Sequence, residues 1–356
     1  MELLEKLIKT AAVPGREHRM RELIIQETKG LFDEVRTDPL GSLICVRRPR
    51  PAKNARKKAD TPLRVMLAAH MDQIGFLVKH IDGAGFLRLN PVGGFDTRNL
   101  FARLVTVCPD PRDPSRDLPG VMNPGGKPIH IADEADKNKV PQISEFVVDL
   151  GLPGDTVKKR VKVGDMVVIR PTFDVVGKTA VGQAMDNRIA SWVAIRALHE
   201  LEKSGSGHHC EIHCVFTVQE EVGCRGAGTS SYSIEPDVTI SLDTTLCVDT
   251  PGVSEDQRVS KQGDGVGLLV MDSSMISDLE LLEELEQIGK RHKIKMQRTI
   301  LPRGGNDGYA IQMKNAGRRV TALVCPTRYI HTVTEMVHID DLNAMKNLLR
   351  GYLAQA

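Results

Sequence analysis

Aromatic side chains are scarce in this 356-residue chain, with one Trp, four Tyr and eight Phe. Proteins that hold sugars or single-stranded nucleic acid by stacking need more flat faces than that, so both classes are disfavoured from the outset. An excess of one charge is also missing. Lys and Arg number 48 against 46 Asp and Glu, a formal net charge of +2, which offers no long-range field to a nucleic acid or an anionic membrane. No apolar stretch approaches the roughly 18 residues of a membrane span, and the sequence predicts no transmembrane segment. Cysteines are few and unpatterned: Cys45, Cys108, Cys210, Cys214, Cys224, Cys247 and Cys325. Small secreted scaffolds rely on dense, even pairing, so reduced thiols in a cytoplasm are expected here. The run Met1 to Ile8 carries acids inside its apolar pattern and lacks the basic start of a secretory leader; Leu3, Leu4, Leu7 and Ile8 mark a helix face instead.

What remains is an ordinary globular composition, 41% hydrophobic and 26% charged, enough for a sizeable core in one large or two ordinary domains. Val65 to Ala69 reads as a buried strand delivering His70, Met71 and Asp72 at its end. Asp237 to Leu242 and Arg319 to Val324 read likewise, and Cys210 to Val218 alternates apolar with polar. Helical periodicity separates these runs at 188–201, 276–288 and 340–352. Strands alternating with helices predict an α/β domain with a largely parallel sheet covered on both faces, with ligands beyond the carboxyl ends of the strands. Residues 74–177 differ: rich in Gly, Pro and Asp, they show short β-like runs (Phe86 to Leu89, Leu104 to Cys108, Met166 to Arg170). They are expected to form a small β-rich domain inserted between 1–73 and 178–356.

Acids and histidines gather at the ends of these elements: His70-Met71-Asp72, Asp186-Asn187, Glu220-Glu221, Asp243 and His331. Together they meet a chemical need. Two Zn²⁺ or Co²⁺ ions about 3.5 to 4 Å apart require a bridging carboxylate, one histidine and one further carboxylate each, and a nearby acid that is not a ligand. Asp186 suits the bridge, His70 and Asp243 complete one metal, Glu221 and His331 the other, and Glu220 is left as a general base.

The order and surroundings of these residues resemble a known family, the tetrahedral, self-compartmentalising aminopeptidases, which include glutamyl and deblocking aminopeptidases. The stretches that carry the resemblance are Ala69-His70-Met71-Asp72-Gln73-Ile74-Gly75-Phe76, Ala184-Met185-Asp186-Asn187-Arg188, Gln219-Glu220-Glu221-Val222-Gly223, Asp243, Gly304-Gly305-Asn306-Asp307 and Arg328-Tyr329-Ile330-His331. The resemblance implies a dinuclear zinc exopeptidase-like fold, a mainly parallel mixed sheet flanked by helices, with 74–177 as a dimerisation domain. It also implies two divalent ions (Zn or Co) on His70, Asp186, Glu221, Asp243 and His331, with Glu220 as the base. Asp72 is then the acid that supports the ligand histidine, and the Asp186-Asn187 peptide is cis. Expected partners are short peptides and further copies of the chain, as dimers joined into tetrahedral dodecamers. In mechanism, a water acidified by the two ions would give its proton to Glu220 and attack the peptide carbonyl. Three departures from the family pattern stand out: Gln73 for Glu, Asn306 for Thr, and Thr332-Val333-Thr334 for a Ser-Pro sequence. They lie where they are expected to shape substrate pockets.

Several competing readings carry less. His208-His209-Cys210-Glu211-Ile212-His213-Cys214 has the composition of a zinc cluster, but in a strand Cys210 and Cys214 are about 13 Å apart, at ~3.3 Å per residue. His208 and His209 then read as loop residues. Gly263-Asp264-Gly265-Val266-Gly267 lacks the Lys-Ser/Thr of a phosphate loop and reads as a turn. The seven basic residues between Arg47 and Lys58 read as an exposed loop without the aromatics of a nucleic-acid site. His338 reads as structural, beside a helix cap at Asp340. Rival functions are a deacylase or carboxypeptidase on a similar scaffold, a glycosidase using paired carboxylates, and a nucleic-acid or scaffold protein using the basic loop.

Overall fold

The apolar runs become the centre of one eleven-stranded sheet. In a computed structural model, which describes residues 1–52, 61–137 and 139–356, its main path is Glu34–Thr37, Leu43–Arg47, Glu211–Thr217, Arg64–His70, Val238–Leu246, Arg319–Arg328, Glu335–His338, Thr179–Gly182 and Phe173–Val176. Val266–Met271 branches from Arg319–Arg328 and carries Met296–Ile300. The four strands from Glu211–Thr217 to Arg319–Arg328 are mutually parallel, as is the pair Val266–Met271 and Met296–Ile300. Every other pairing in the sheet is antiparallel. The expected largely parallel sheet is therefore a mixed one with a parallel centre. Parallel neighbours need long crossovers, which the chain supplies as helices around the central strands and, for the pair Val266–Met271 and Met296–Ile300, as the helix Leu279–Arg291.

Both faces of that centre are covered. In Arg64–His70, Val65, Leu67 and Ala69 point into one core with the helices Glu2–Lys9, Met185–Ser204 and Ile339–Leu353, while Met66 and Ala68 point into a second with Ala227 and Ile311. Glu211–Thr217 is likewise buried almost throughout, so its apolar/polar alternation marks no solvent face; the Nε2 of buried His213 meets Glu211 Oε1 at 2.8 Å. The helix expected from Ile276 begins at Leu279, because Asp278 Oδ1 caps it by accepting from Leu281 N–H at 2.9 Å. The last helix is capped by the His338 side chain, not by Asp340, whose N–H donates to it.

Six strands, Gly75–Ile81, Leu87–Val92, Arg103–Cys108, Leu118–Pro124, Phe146–Asp149 and Met166–Ile169, close into a barrel. It has its own core, which includes Phe76, Leu87, Val107, Met122, Phe146 and Val167. Phe173–Val176, also within 74–177, pairs in the large sheet instead. Arg19, on the helix His18–Glu27, grips the barrel side through both oxygens of Asp117 at 2.7 Å. Among the described residues no helix is long and apolar enough to cross a membrane.

Two loop expectations fail. Arg47 is buried, ion-paired to Glu202, and donates to His208 Nε2 at 3.1 Å and Leu31 O at 2.9 Å. A buried guanidinium must fill its donor positions, and His208 serves that need: it is buried, in a short strand Gly207–His208 paired with Arg50–Pro51. Burial lowers its pKa to about 4. Residues 53–60 of the basic run lie outside the described residues. The glycine segment is a turn, as expected, and its Gly263 and Gly265 N–H groups are both taken by Asp341 at 2.8 Å.

Candidate active site

The parallel centre delivers its polar residues at one edge. His70 ends the strand Arg64–His70, Glu220 and Glu221 follow Glu211–Thr217, and Asp243 lies in Val238–Leu246. Asp186 comes from the first turn of Met185–Ser204 and His331 from the loop after Arg319–Arg328. The Asp186–Asn187 peptide is cis. All of these side chains line one cleft of about 440 Å³, with Cys224, Leu246, Leu301 and Arg303 also on its wall.

Within it, His70 Nε2 lies 3.2 Å from Asp186 Oδ1, 3.7 Å from Glu220 Oε2 and 3.9 Å from Asp243 Oδ1. His331 Nε2 lies 3.5 Å from Glu221 Oε2 and 3.6 Å from Asp186 Oδ2. Two triples thus bring their ligand atoms within 4.8 Å of one another: His70, Asp186 and Asp243, and Asp186, Glu221 and His331. Asp186 offers a different oxygen to each. Glu220 belongs to neither, and its Oε1 accepts the Cys224 thiol at 3.3 Å.

Asp72 has a wider part than the one expected of it. Its Oδ1 stands 3.6 Å from His70 Nδ1, which its own backbone oxygen approaches at 3.2 Å. Its two carboxylate oxygens accept from the N–H groups of Glu220 and Glu221, each at 3.1 Å. One buried carboxylate therefore orients the histidine loop and both glutamates.

The electrostatics are those of carboxylates and two histidines crowded together away from water. Burial pushes Glu220 up to about 8, with Asp307, Asp72 and Asp186 adding and His70 opposing. Burial and neighbouring carboxylates raise Glu221 and Asp243 well above the usual range. Against the cost of burial, hydrogen bonds from His331 and His70 hold Asp186 down. Both histidines are raised despite burial: His331 to about 10, first by its hydrogen bond to Asp186, and His70 chiefly by the charge of Glu220. Glu221 Oε1 is buried with no hydrogen-bond partner. Each feature suits divalent ions on oxygen and imidazole ligands. A cation beside it would give the orphaned Glu221 oxygen a partner.

Some residues about the site had no assigned role in the sequence reading. Glu17 is buried and accepts from Gln219 N–H at 3.3 Å, just before the glutamate pair. Asp307, within the Gly-Gly-Asn-Asp stretch, takes the Thr217 hydroxyl, and burial pushes it up to about 6. Glu17 had only the turn at Pro14-Gly15 to signal it. The three departures from the family pattern do not line the cleft, although Gly304 and Gly305 do. Gln73 Oε1 accepts from buried Arg188 at 2.7 Å. Asn306 caps the helix Asp307–Gln312 through Gly308 N–H and donates to Asp272, both at 2.7 Å. Thr332 Oγ1 donates to Tyr329 O at 2.6 Å, closing a turn.

Comparison with known proteins agrees in one direction. The pattern of the M42 glutamyl aminopeptidase family matches residues 52–348. A putative aminopeptidase of Acetivibrio thermocellus is 34% identical over 349 residues, 98% of this chain and 96% of that one. Among solved structures, aminopeptidase APDkam598 from the archaeon Desulfurococcus kamchatkensis superposes with a TM-score of 0.90 at 31% identity, over 100% of this chain and 94% of that one. The TET1 peptidase of Pyrococcus horikoshii, which can assemble into a tetrahedron or a large octahedral shell, matches with a TM-score of 0.84 at 27% identity, over 99% and 98%.

Proposed function

Since this chain belongs to the M42 glutamyl aminopeptidase family and is a peptide hydrolase, we propose that it is a dinuclear metallo-aminopeptidase releasing N-terminal residues from short peptides. The observation that carries this reading is the pair of three-residue clusters sharing Asp186, with Glu220 in neither and 3.7 Å from His70. His70 and Asp243 would hold one ion, Glu221 and His331 the other, and Asp186 would bridge. Zn²⁺ or Co²⁺ bound there would supply Lewis acidity, making a water nucleophilic near neutral pH and polarising the scissile carbonyl.

The chain's own residues supply the proton handling. Glu220 takes a proton from the attacking water and passes it to the leaving amine. Asp72 fixes its backbone by accepting from the Glu220 N–H at 3.1 Å. The chain is read as acting in the cytoplasm, where its seven cysteines stay reduced; all are free thiols in the structure. Residues 1–73 and 178–356 are read as the catalytic domain and 74–177 as the insert through which copies dimerise, on the way to a tetrahedral dodecamer.

Hydrolysis of free and N-acetylated peptides, before and after chelation and after restoring Zn²⁺ or Co²⁺, tests the reaction. Activity confined to free N-termini and recovered with metal is expected. Metal-restored activity on blocked substrates alone would redirect the case to a deacylase, and inactivity on every peptide would overturn it. Glu220→Gln is expected to keep its metal while turnover falls about 100- to 10,000-fold; retained turnover would remove Glu220 from the role of base.

A further inference from the structure

Glu335 is 2% exposed and opens the strand Glu335–His338 between the two segments that carry Asp186 and His331. On one side it pairs with Gly182, four residues before Asp186. On the other, its strand pairs with the end of Arg319–Arg328, the strand that leads into His331. The carboxylate is divided between the two segments. Oε2 accepts from Asp186 N–H at 3.0 Å and Oε1 from His331 N–H at 2.6 Å.

Both segments need holding. His331 has φ +62° and Ala184, two residues before Asp186, has φ +59°, a left-handed region that residues with a Cβ enter at a cost. Such conformations persist only where the surroundings fix them. Asp72 performs the equivalent service for Glu220 and Glu221, so without Glu335 the opposite wall of the cleft would lack its counterpart.

We propose that Glu335 is a positioning residue which fixes Asp186 and His331 together and thereby sets the affinity of the Asp186–Glu221–His331 metal position. This rests on the dinuclear reading above. A carboxylate can accept on both oxygens, whereas an amide has one acceptor and turns its NH₂ toward the other N–H. Glu335→Gln therefore keeps the volume and releases one segment. Asp341 provides a matched control: it is also a buried carboxylate accepting two backbone N–H groups, from Gly263 and Gly265 at 2.8 Å, in a turn outside the cleft.

Co²⁺ alone, titrated into the metal-free full chain and followed by its visible d–d absorption, reads coordination without turnover. The wild type and Asp341→Asn are expected to bind two ions per chain. Glu335→Gln is expected to bind one of them about 10- to 100-fold more weakly, with an altered spectrum, while far-UV circular dichroism reports a folded chain. Two ions at wild-type affinity and spectrum in Glu335→Gln would overturn the positioning role and leave the dinuclear reading intact. An equal loss in Asp341→Asn, or a Glu335→Gln chain that does not fold, would overturn it too, since the carboxylate would then serve the fold at large. A wild type that binds no second ion would remove the dinuclear reading, and this proposal with it.

Discussion

Glu17 is a buried carboxylate held by backbone N–H groups. Its Oε1 accepts from Gly15 N–H at 2.7 Å and Gln219 N–H at 3.3 Å, and burial, then the charge of Asp72, raises its pKa from 4.5 to about 7. The folded chain thus binds this proton more tightly than the unfolded chain does. The resulting stability is complete below pH 4.5 and is lost as pH rises through about 7, a difference of about 3 kcal/mol. Glu17→Gln keeps one oxygen for both N–H groups and removes the charge. In urea unfolding of the metal-free protein it is expected to match the wild type near pH 4.5 and to exceed it by about 3 kcal/mol at pH 8; no gain at pH 8 would mean that Glu17 ionises there without penalty. At this scale the sequence was uneven to read. His70 and Asp243 stood out because strongly apolar strands deliver them. The tasks of Glu17, Glu335 and Asp72 each depend on a hydrogen bond to backbone more than a hundred residues away along the chain, from Gln219, Asp186 and the Glu220–Glu221 pair respectively, which no local pattern records.

At the scale of elements, legibility followed burial. Val65 to Ala69 and Val320 to Val324 are apolar because they are covered on both faces, and such runs announce themselves. The antiparallel flanks did not: Glu34–Thr37 is exposed throughout and Glu335–His338 is four residues long, so neither carries an apolar signature; periodicity alone predicts a largely parallel sheet, and only the family resemblance implies a mixed one. The barrel was visible through its composition, and its interior side chains form a cluster distinct from those on either face of the large sheet. That separation has a measurable consequence. Phe146 is fully buried in the barrel, with its ring 5.7 Å from Phe101 in an edge-on arrangement. Phe146→Ala is expected to cost about 3–5 kcal/mol, expressed as faster amide hydrogen exchange across the barrel strands, with exchange in Arg64–His70 and Val238–Leu246 and the Co²⁺ titration unchanged. Loss of protection spread evenly over barrel and sheet would mean that the two unfold as one unit.

At the scale of the whole molecule, the barrel's outer face raises the question of what covers it. Along Arg103–Cys108 the inward Val105 and Val107 are buried, as a closed barrel requires, yet the outward Leu104 is 53% exposed. Directly opposite it, on Leu118–Pro124, the outward Val121 is 45% exposed. An apolar cross-strand pair on positions that a solvated strand fills with polar residues suits an interface between copies. Replacing both with Glu sets like charges opposite each other on that face and would desolvate them in any interface. Sedimentation is expected to show Leu104→Glu/Val121→Glu as a smaller species than the wild type with an unchanged circular dichroism spectrum; an unaltered mass would move the dimer contact off this face. Both candidate ligand triples are supplied within one chain, so the smaller species is expected to hydrolyse short peptides. If it assembles poorly and is also inactive with metal restored, the partner copy must be shaping the site from outside the cleft wall, and the catalytic unit is the dimer.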